Sequence, residues 1–235
     1  MKTFKTIGIL GGMGPSATIK LYENITNMNK VLKDQDHIPI IINSCPQIPD
    51  RTEALLYGGK SPLPTMIREI KKLDKIGVDF ILIPYNTAHA YYKQLQKNTG
   101  TTIINMISET VKDIPTHIKK VGLLATSGTV KTKVYQDELE NKGLEVILPN
   151  ADSQENEVMK SIYGEKGIKA GYINKMNKDL LKSASKKLIE KGAQGIILGC
   201  TEISLLLSQK DFLIDIFDPL KIIARNSIII ATSNF

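Results

Sequence analysis

Gly77-Val78-Asp79-Phe80-Ile81-Leu82-Ile83-Pro84-Tyr85-Asn86-Thr87 is answered later in the chain by Gly192-Ala193-Gln194-Gly195-Ile196-Ile197-Leu198-Gly199-Cys200-Thr201-Glu202. In both stretches a glycine leads into an apolar run of the kind that forms a buried parallel strand, and polar residues follow it. The openings of the two halves match as well. Lys5-Thr6-Ile7-Gly8-Ile9-Leu10 corresponds to Lys119-Lys120-Val121-Gly122-Leu123-Leu124. Gly8 falls on Gly122 and Tyr85 on Cys200 with offsets that differ by one residue, so almost no gap is needed between the copies. A repeat of this length predicts two similar lobes related by a pseudo-twofold axis. A ligand between such lobes meets Tyr85 from one side and Cys200 from the other. That is the geometry for taking a proton from one face of a carbon and delivering one to the opposite face.

Strands and helices alternate throughout, which predicts α/β layers on parallel sheets. Ile7–Leu10, Ile38–Ile42, Phe80–Ile83 and Thr102–Ile104 read as the strands of the first lobe, with helices over Ser16–Val31, Pro64–Ile76 and Ala88–Lys97. Val121–Ala125, Glu145–Leu148, Gly195–Leu198 and Ile214–Phe217 read as the strands of the second. Its helices fall over Val130–Lys142, Glu155–Tyr163, Asn174–Lys191 and Glu202–Leu207. The predicted division is an N-terminal α/β lobe over 1–115 and a C-terminal one over 116–235. A closing helix near 219–231 is free to pack on the first. In open parallel sheets ligands bind at the carboxyl ends of strands. Gly11–Pro15, Asn43–Arg51, Pro84–His89, Ala125–Thr129 and Gly199–Glu202 all fall there, which predicts one cleft between the lobes.

The net charge of +7 comes almost wholly from lysine, since Arg51, Arg68 and Arg225 are the only arginines among 31 basic residues. No basic cluster is interleaved with aromatics, so a solvated lysine-rich surface is expected and nucleic acid is not an expected partner. The positive field would suit acidic substrates. No apolar run approaches the length of a membrane span, and the start of the chain does not resemble a signal peptide. Two cysteines, Cys45 and Cys200, are too few to staple a fold and are expected as free thiols in a reducing cytoplasm. The three histidines, His37, His89 and His117, lie far apart without ligand spacing, so no metal site is expected.

Gly12-Met13-Gly14-Pro15-Ser16-Ala17 satisfies the G-x-G-x-x-A fingerprint of dinucleotide-binding turns. The acidic residue that such a site wants at the end of the second strand is replaced by Asn43-Ser44-Cys45. Met13 and Gly14 therefore fit a cradle for a carboxylate or small anion, with a purely structural turn as the other possibility. Arg51 follows two prolines in Pro46-Gln47-Ile48-Pro49-Asp50-Arg51. Its guanidinium suits a substrate carboxylate or a structural pair with Asp50 or Glu53. Cys200, between a strand and a helix start, is placed for a lowered thiol pKa, although buried cysteines are usually inert. Tyr85 at the duplicated position is a plausible proton donor or a plug that closes the site. Lys169 could bind a carboxylate or sit in solvent, and His89 is expected to order the loop after the third strand.

Taken together, these segments resemble the cofactor-independent aspartate/glutamate racemase superfamily, and the aspartate racemases most of all. The motifs are Gly11-Gly12-Met13-Gly14-Pro15, Ile48-Pro49-Asp50-Arg51, Asn86-Thr87-Ala88-His89, Leu124-Ala125-Thr126-Ser127-Gly128-Thr129, Ile168-Lys169-Ala170-Gly171 and Gly199-Cys200-Thr201-Glu202-Ile203, in family order over nearly the whole chain. The resemblance implies two flavodoxin-like lobes, a homodimer, and amino-acid racemisation without pyridoxal phosphate or any other cofactor. It also implies that two cysteines flank Cα, one as base and one as acid. Carried over by position, Cys200 is one of that pair. Arg51 and Lys169 would bind the carboxylates of a small dicarboxylic amino acid, and Asn86, Thr87, Thr126 and Thr201 would hold its α-carboxylate and amino group. The family's first cysteine is replaced here by Tyr85, and Cys45 does not match its position.

Three functions follow. The first is a racemase-like enzyme for aspartate or glutamate, with Cys200 moving the α-proton and Tyr85 as a weak acid on the other face, so that activity is low or one-sided. The second is a one-thiol decarboxylase or isomerase of the same superfamily. The third is a dicarboxylate-binding descendant without turnover.

Overall fold

A computed structural model describes residues 4–233. Eight short strands are present: β1 (Ile7–Gly11), β2 (Ile40–Ser44), β3 (Phe80–Leu82), β4 (Thr102–Ile103), β5 (Lys120–Ala125), β6 (Glu145–Ile147), β7 (Gly195–Gly199) and β8 (Asp215–Phe217). They form two four-stranded sheets with orders β2-β1-β3-β4 and β6-β5-β7-β8, and every pairing is parallel. Each sheet is flanked by helices, so the fold is α/β with two flavodoxin-like halves. The duplication is visible in the register. Gly8 pairs with Ile81 in the first sheet and Gly122 with Ile196 in the second. The glycines belong there because a Cβ at Gly8 would lie 2.8 Å from Val78, and one at Gly122 would lie 3.1 Å from Leu188.

The chain divides into two compact units, one of residues up to Glu109 together with Leu220 onward, the other of Thr110–Pro219. The division falls inside a helix, Met106–Lys112. The last helix, Pro219–Thr232, groups from Leu220 on with the first unit, where Leu220, Ile223, Ala224 and Ala231 join the core built on Ile7, Ile9 and Leu10. In the same unit, helix Pro15–Met28 starts with proline in its first turn and buries Ala17, Leu21 and Ile25, one turn apart on a single face. Helix Leu63–Ile76 stops at Gly77, whose φ of 83° lies in the left-handed region that glycine enters without cost. The core of the second unit is built from Leu124, Ile162, Leu181, Leu188, Ile196 and Leu198.

Several elements depart from the sequence expectation. Arg51–Leu56 is a short helix rather than loop, because the Asp50 carboxylate accepts the Glu53 amide at 3.0 Å and caps it. The helix expected over Val130–Lys142 is broken into Ser127–Lys131 and Val134–Asn141 by Lys133, which has φ 57°. The segment Ala151–Tyr163 is continuous but carries a π-helical stretch at Gln154–Met159. The helix expected over Glu202–Leu207 shrinks to a single 3₁₀ turn, Ile203–Leu205.

Gly12 has φ 100°, and a Cβ there would lie 2.5 Å from the Cys45 backbone. Gly12→Ala should therefore cost about 1–3 kcal/mol or more, because strain and a clash with unyielding backbone add. Urea unfolding monitored by circular dichroism reads this directly. Unchanged stability would mean that the turn can relax away from Cys45.

Candidate active site

Most predicted site residues follow the carboxyl ends of β1 and β3 in the first unit and of β5 and β7 in the second, while Arg51 opens the helix after β2 and Lys169 lies in the 3₁₀ turn Ile168–Ala170. In the first, Tyr85 is 3% exposed and its hydroxyl is fully committed. The Gly12 amide donates to Thr18 Oγ1 at 3.0 Å, the Thr18 and Tyr85 hydroxyls lie 2.6 Å apart, and Tyr85 donates to the Gly14 carbonyl at 2.8 Å. The proton order follows from the ends of this chain. The amide can only donate and the carbonyl can only accept, so Thr18 donates to Tyr85. Burial holds the phenol above its ordinary pKa, against the opposing pull of its hydrogen bonds and of Arg51. Tyr85 therefore keeps its proton and spends it on Gly14. The glycine turn is held by Thr18 and Tyr85 from below, so the amide of Gly12 is not left for an anion.

Arg51 is 7% exposed, at the first residue of its helix. Its Nη2 donates to the Met13 carbonyl at 2.6 Å and its Nη1 to the Pro49 carbonyl at 3.3 Å, while Nε is buried without a partner. A buried guanidinium with an unpartnered Nε keeps a donor for an incoming carboxylate. Asn86 is buried where the chain leaves β3, and Thr87 opens the 3₁₀ turn Thr87–Tyr91. His89 braces this loop. Its Nε2 accepts the Met106 amide at 3.1 Å, so Nδ1 carries the hydrogen and donates to the Tyr85 carbonyl at 2.9 Å. Burial lowers its pKa to about 4, and the ring is neutral near pH 7.

In the second unit, Ala125 pairs with Gly199, so Thr126 and Cys200 leave neighbouring strands side by side. Thr126 caps helix Ser127–Lys131 by accepting the Thr129 amide, and Gln154 of the π-helical stretch donates to the Ala125 carbonyl at 3.0 Å. Cys200 is 5% exposed, and its thiol donates to Glu202 Oε2 at 2.9 Å. The Thr201 hydroxyl donates to the same oxygen at 3.2 Å, and Lys169 Nζ lies 3.1 Å from Glu202 Oε1. Lys169 also sits 5.0 Å from the centre of the Tyr163 ring.

The expected lowering of the thiol pKa is corrected by this arrangement. No regular helix starts at Cys200. Burial first, and then the Glu202 carboxylate, push the thiol well above its ordinary value, with Lys169 pulling the other way. Burial would also raise Glu202, but the Lys169 cation and the bond from Cys200 outweigh it and hold the carboxyl below its usual range. The resting pair is a thiol and a carboxylate. Lys169 is not in bulk solvent but engaged with Glu202.

Sequence reasoning passed over three contributors. Glu202 was visible as an acid two residues from the cysteine at a strand end, a spacing that could have drawn attention. Thr18 and Gln154 carried no such signal, because their roles depend on which loop lies above them. Cys45 is a free thiol 3.7 Å from Gln47 Oε1, at the end of β2 in the first unit. Among the described residues no cluster of His, Cys, Asp and Glu could hold a metal ion, and no helix is long and apolar enough to cross a membrane.

The chain resembles proteins of known activity along nearly its whole length. It is 30% identical over 226 residues to the broad-specificity amino-acid racemase RacX of Bacillus subtilis, covering 94% of this chain and 96% of that one. Among solved structures, the aspartate racemase of Picrophilus torridus superposes with a TM-score of 0.85 at 31% identity, over 98% of this chain and 96% of that one. An aspartate racemase homologue from Pyrococcus horikoshii gives a TM-score of 0.78 at 27% identity, over 97% of this chain and 100% of that one. Residues 10–226 match the Asp/Glu/hydantoin racemase family, and the chain belongs to that family.

Proposed function

We propose that the protein moves a proton at Cα of a small dicarboxylic amino acid, aspartate or glutamate, with Cys200 as the acting thiol and no cofactor. The observation that carries this is the Cys200–Glu202–Lys169 cluster, a buried thiol in hydrogen-bond contact with a carboxylate that a lysine holds. Such a thiol is a proton donor as it stands and a base once its proton has moved to Glu202. Arg51 and Lys169 would each take one substrate carboxylate, the latter in competition with Glu202. Met13, Gly14, Asn86, Thr87, Thr126 and Thr201 would frame the substrate. Cations at both carboxylates would stabilise the charge that develops at Cα.

Tyr85 favours a second reading, a decarboxylase or isomerase that protonates from one face only. Its single proton is bound to the Gly14 carbonyl, and delivery to Cα would break that bond. In the racemase reading the same feature makes turnover slow or biased toward one enantiomer. We further propose that the protein acts in the cytoplasm as a homodimer.

Proton NMR in deuterated buffer, following the Cα–H signal of L- and D-aspartate separately, tests the proposal. Loss of signal that disappears in Cys200→Ala is expected, with chiral chromatography of the same samples reading inversion. Exchange without inversion would favour the one-sided reading. No exchange with either amino acid, together with product from a substituted malonate, would replace racemisation by decarboxylation.

A further inference from the structure

Glu202 is a buried carboxylate in direct contact with the Cys200 thiol. It is 8% exposed, and its two oxygens face different partners. Oε2 receives the Cys200 thiol at 2.9 Å and the Thr201 hydroxyl at 3.2 Å, while Oε1 meets the Lys169 ammonium at 3.1 Å. A carboxylate taken from water needs a cation and hydrogen bonds to remain charged, and Glu202 has both. For Cys200 the Lys169 charge and the Glu202 backbone amide favour ionisation, but burial and the Glu202 carboxylate outweigh them. Tyr135, a buried phenol that burial keeps protonated, lies within electrostatic range of Cys200 and of Asp218, and Asp218 accepts the Ser204 hydroxyl at 3.0 Å. Neither offers Cys200 a positive charge. Within this unit, then, the Lys169 charge favours ionisation of both groups, but only Glu202 is also in ion-pair contact with it.

We propose that Glu202 is the positioning residue that holds the Cys200 proton, aims it, and is the group through which that proton is exchanged. This rests on Cys200 being the acting thiol. Cys200 begins as S–H hydrogen-bonded to the Glu202 carboxylate. To act as a base, Cys200 passes its proton to Glu202 Oε2, leaving a thiolate beside a carboxylic acid. The substrate Cα–H proton then goes to sulfur. To act as an acid, Cys200 gives its proton to the planar carbon. The thiolate left behind faces an ionised Glu202, which first takes a proton from the Lys169 ammonium and then passes it to sulfur, and Lys169 takes its replacement from water. Lys169 is fit for that last step because its side chain is 23% exposed. A dicarboxylic substrate that draws Lys169 away from Oε1 also removes the cation that makes Glu202 a weak base, so binding and activation of the thiol are linked through one side chain.

The test is the pH dependence of Cys200 alkylation by iodoacetamide, quantified on the Cys200 peptide by mass spectrometry so that Cys45 does not interfere. It needs no substrate, so it can fail while the proton-transfer reading stands, and the reverse. In Glu202→Gln the carboxylate that opposes ionisation is gone and Lys169 remains. The midpoint should fall by at least about one pH unit, making alkylation about tenfold faster at neutral pH. Glu202→Asp, which restores the charge, should move the profile back toward wild type. A Glu202→Gln profile that superimposes on wild type, or a fall that Asp leaves untouched, overturns the proposal. Where Glu202→Gln does not fold, the unaltered chain labelled with ¹³C-glutamate serves. One side-chain carboxylate resonance should shift at the pH where Cys200 ionises and lose that step in Cys200→Ser. The absence of such a resonance also overturns it.

Discussion

Tyr85→Cys should raise the interconversion of L- and D-aspartate by about a hundredfold over the unaltered chain while lowering its stability by about 2–4 kcal/mol. The gain is expected because a thiol at this position can exchange its proton, whereas the phenol holds its own between Thr18 and the Gly14 carbonyl. The loss is expected because the ring is almost wholly buried, and a side chain of a few atoms leaves most of that volume empty. It also strands the Gly14 carbonyl and frees the Thr18 hydroxyl, which must keep the Gly12 amide without its other partner. The two effects separate cleanly, since stability is read by urea unfolding and interconversion by chiral chromatography below the transition. Tyr85→Phe is the control. It keeps the volume, removes the hydrogen bond to Gly14, and should give no gain. A folded Tyr85→Cys protein with no increase in interconversion would show that Tyr85 is not what limits the second face.

The same residue shows how far the sequence could be read. The alignment of the two halves located Tyr85 and Cys200 at equivalent strand ends, because a buried parallel strand leaves an unmistakable apolar run bounded by glycine. The central strands were legible on those grounds and the half-buried edge strands as short apolar runs, and the resemblance to the racemases needed only the short motifs that follow them. The proton chain from Gly12 through Thr18 to Tyr85 was not legible. It depends on a helix residue six positions on from the turn folding back beneath it, and on a tyrosine from another strand reaching the same point. The helix at Arg51 escaped for a related reason. The prolines at 46 and 49 dominate that stretch, and only the bond from the Glu53 amide to Asp50 reveals that the chain turns helical immediately after them. The strand end alone predicts a helix dipole that would lower the Cys200 pKa. With one 3₁₀ turn there, burial and Glu202 decide the sign instead.

Lys169→Met should invert the pH dependence that Glu202 gives to folding. In the unaltered chain burial tends to raise the Glu202 carboxyl, but Lys169 and the Cys200 hydrogen bond prevail and hold it low. A carboxyl whose folded value lies below its unfolded one contributes stability that is fully present above the unfolded range, near about pH 4.3, and is lost as acid protonates it. Without Lys169 the desolvation of the carboxylate is no longer answered by a cation, and the folded value rises above the unfolded one. The charged form is then a burden at neutral pH, and acid relieves it. Breaking a buried pair costs about 3–5 kcal/mol, and the partial exposure of Lys169 argues for the lower part of that range. Urea unfolding should show the variant's deficit largest at pH 8 and shrinking by pH 5, before the unaltered chain itself begins to lose the contribution. Lys169→Met combined with Glu202→Gln should recover most of the loss, because no charge is then left buried alone. A deficit that is the same at both pH values would mean that the lysine acts by packing on Tyr163, and that the carboxylate does not depend on it.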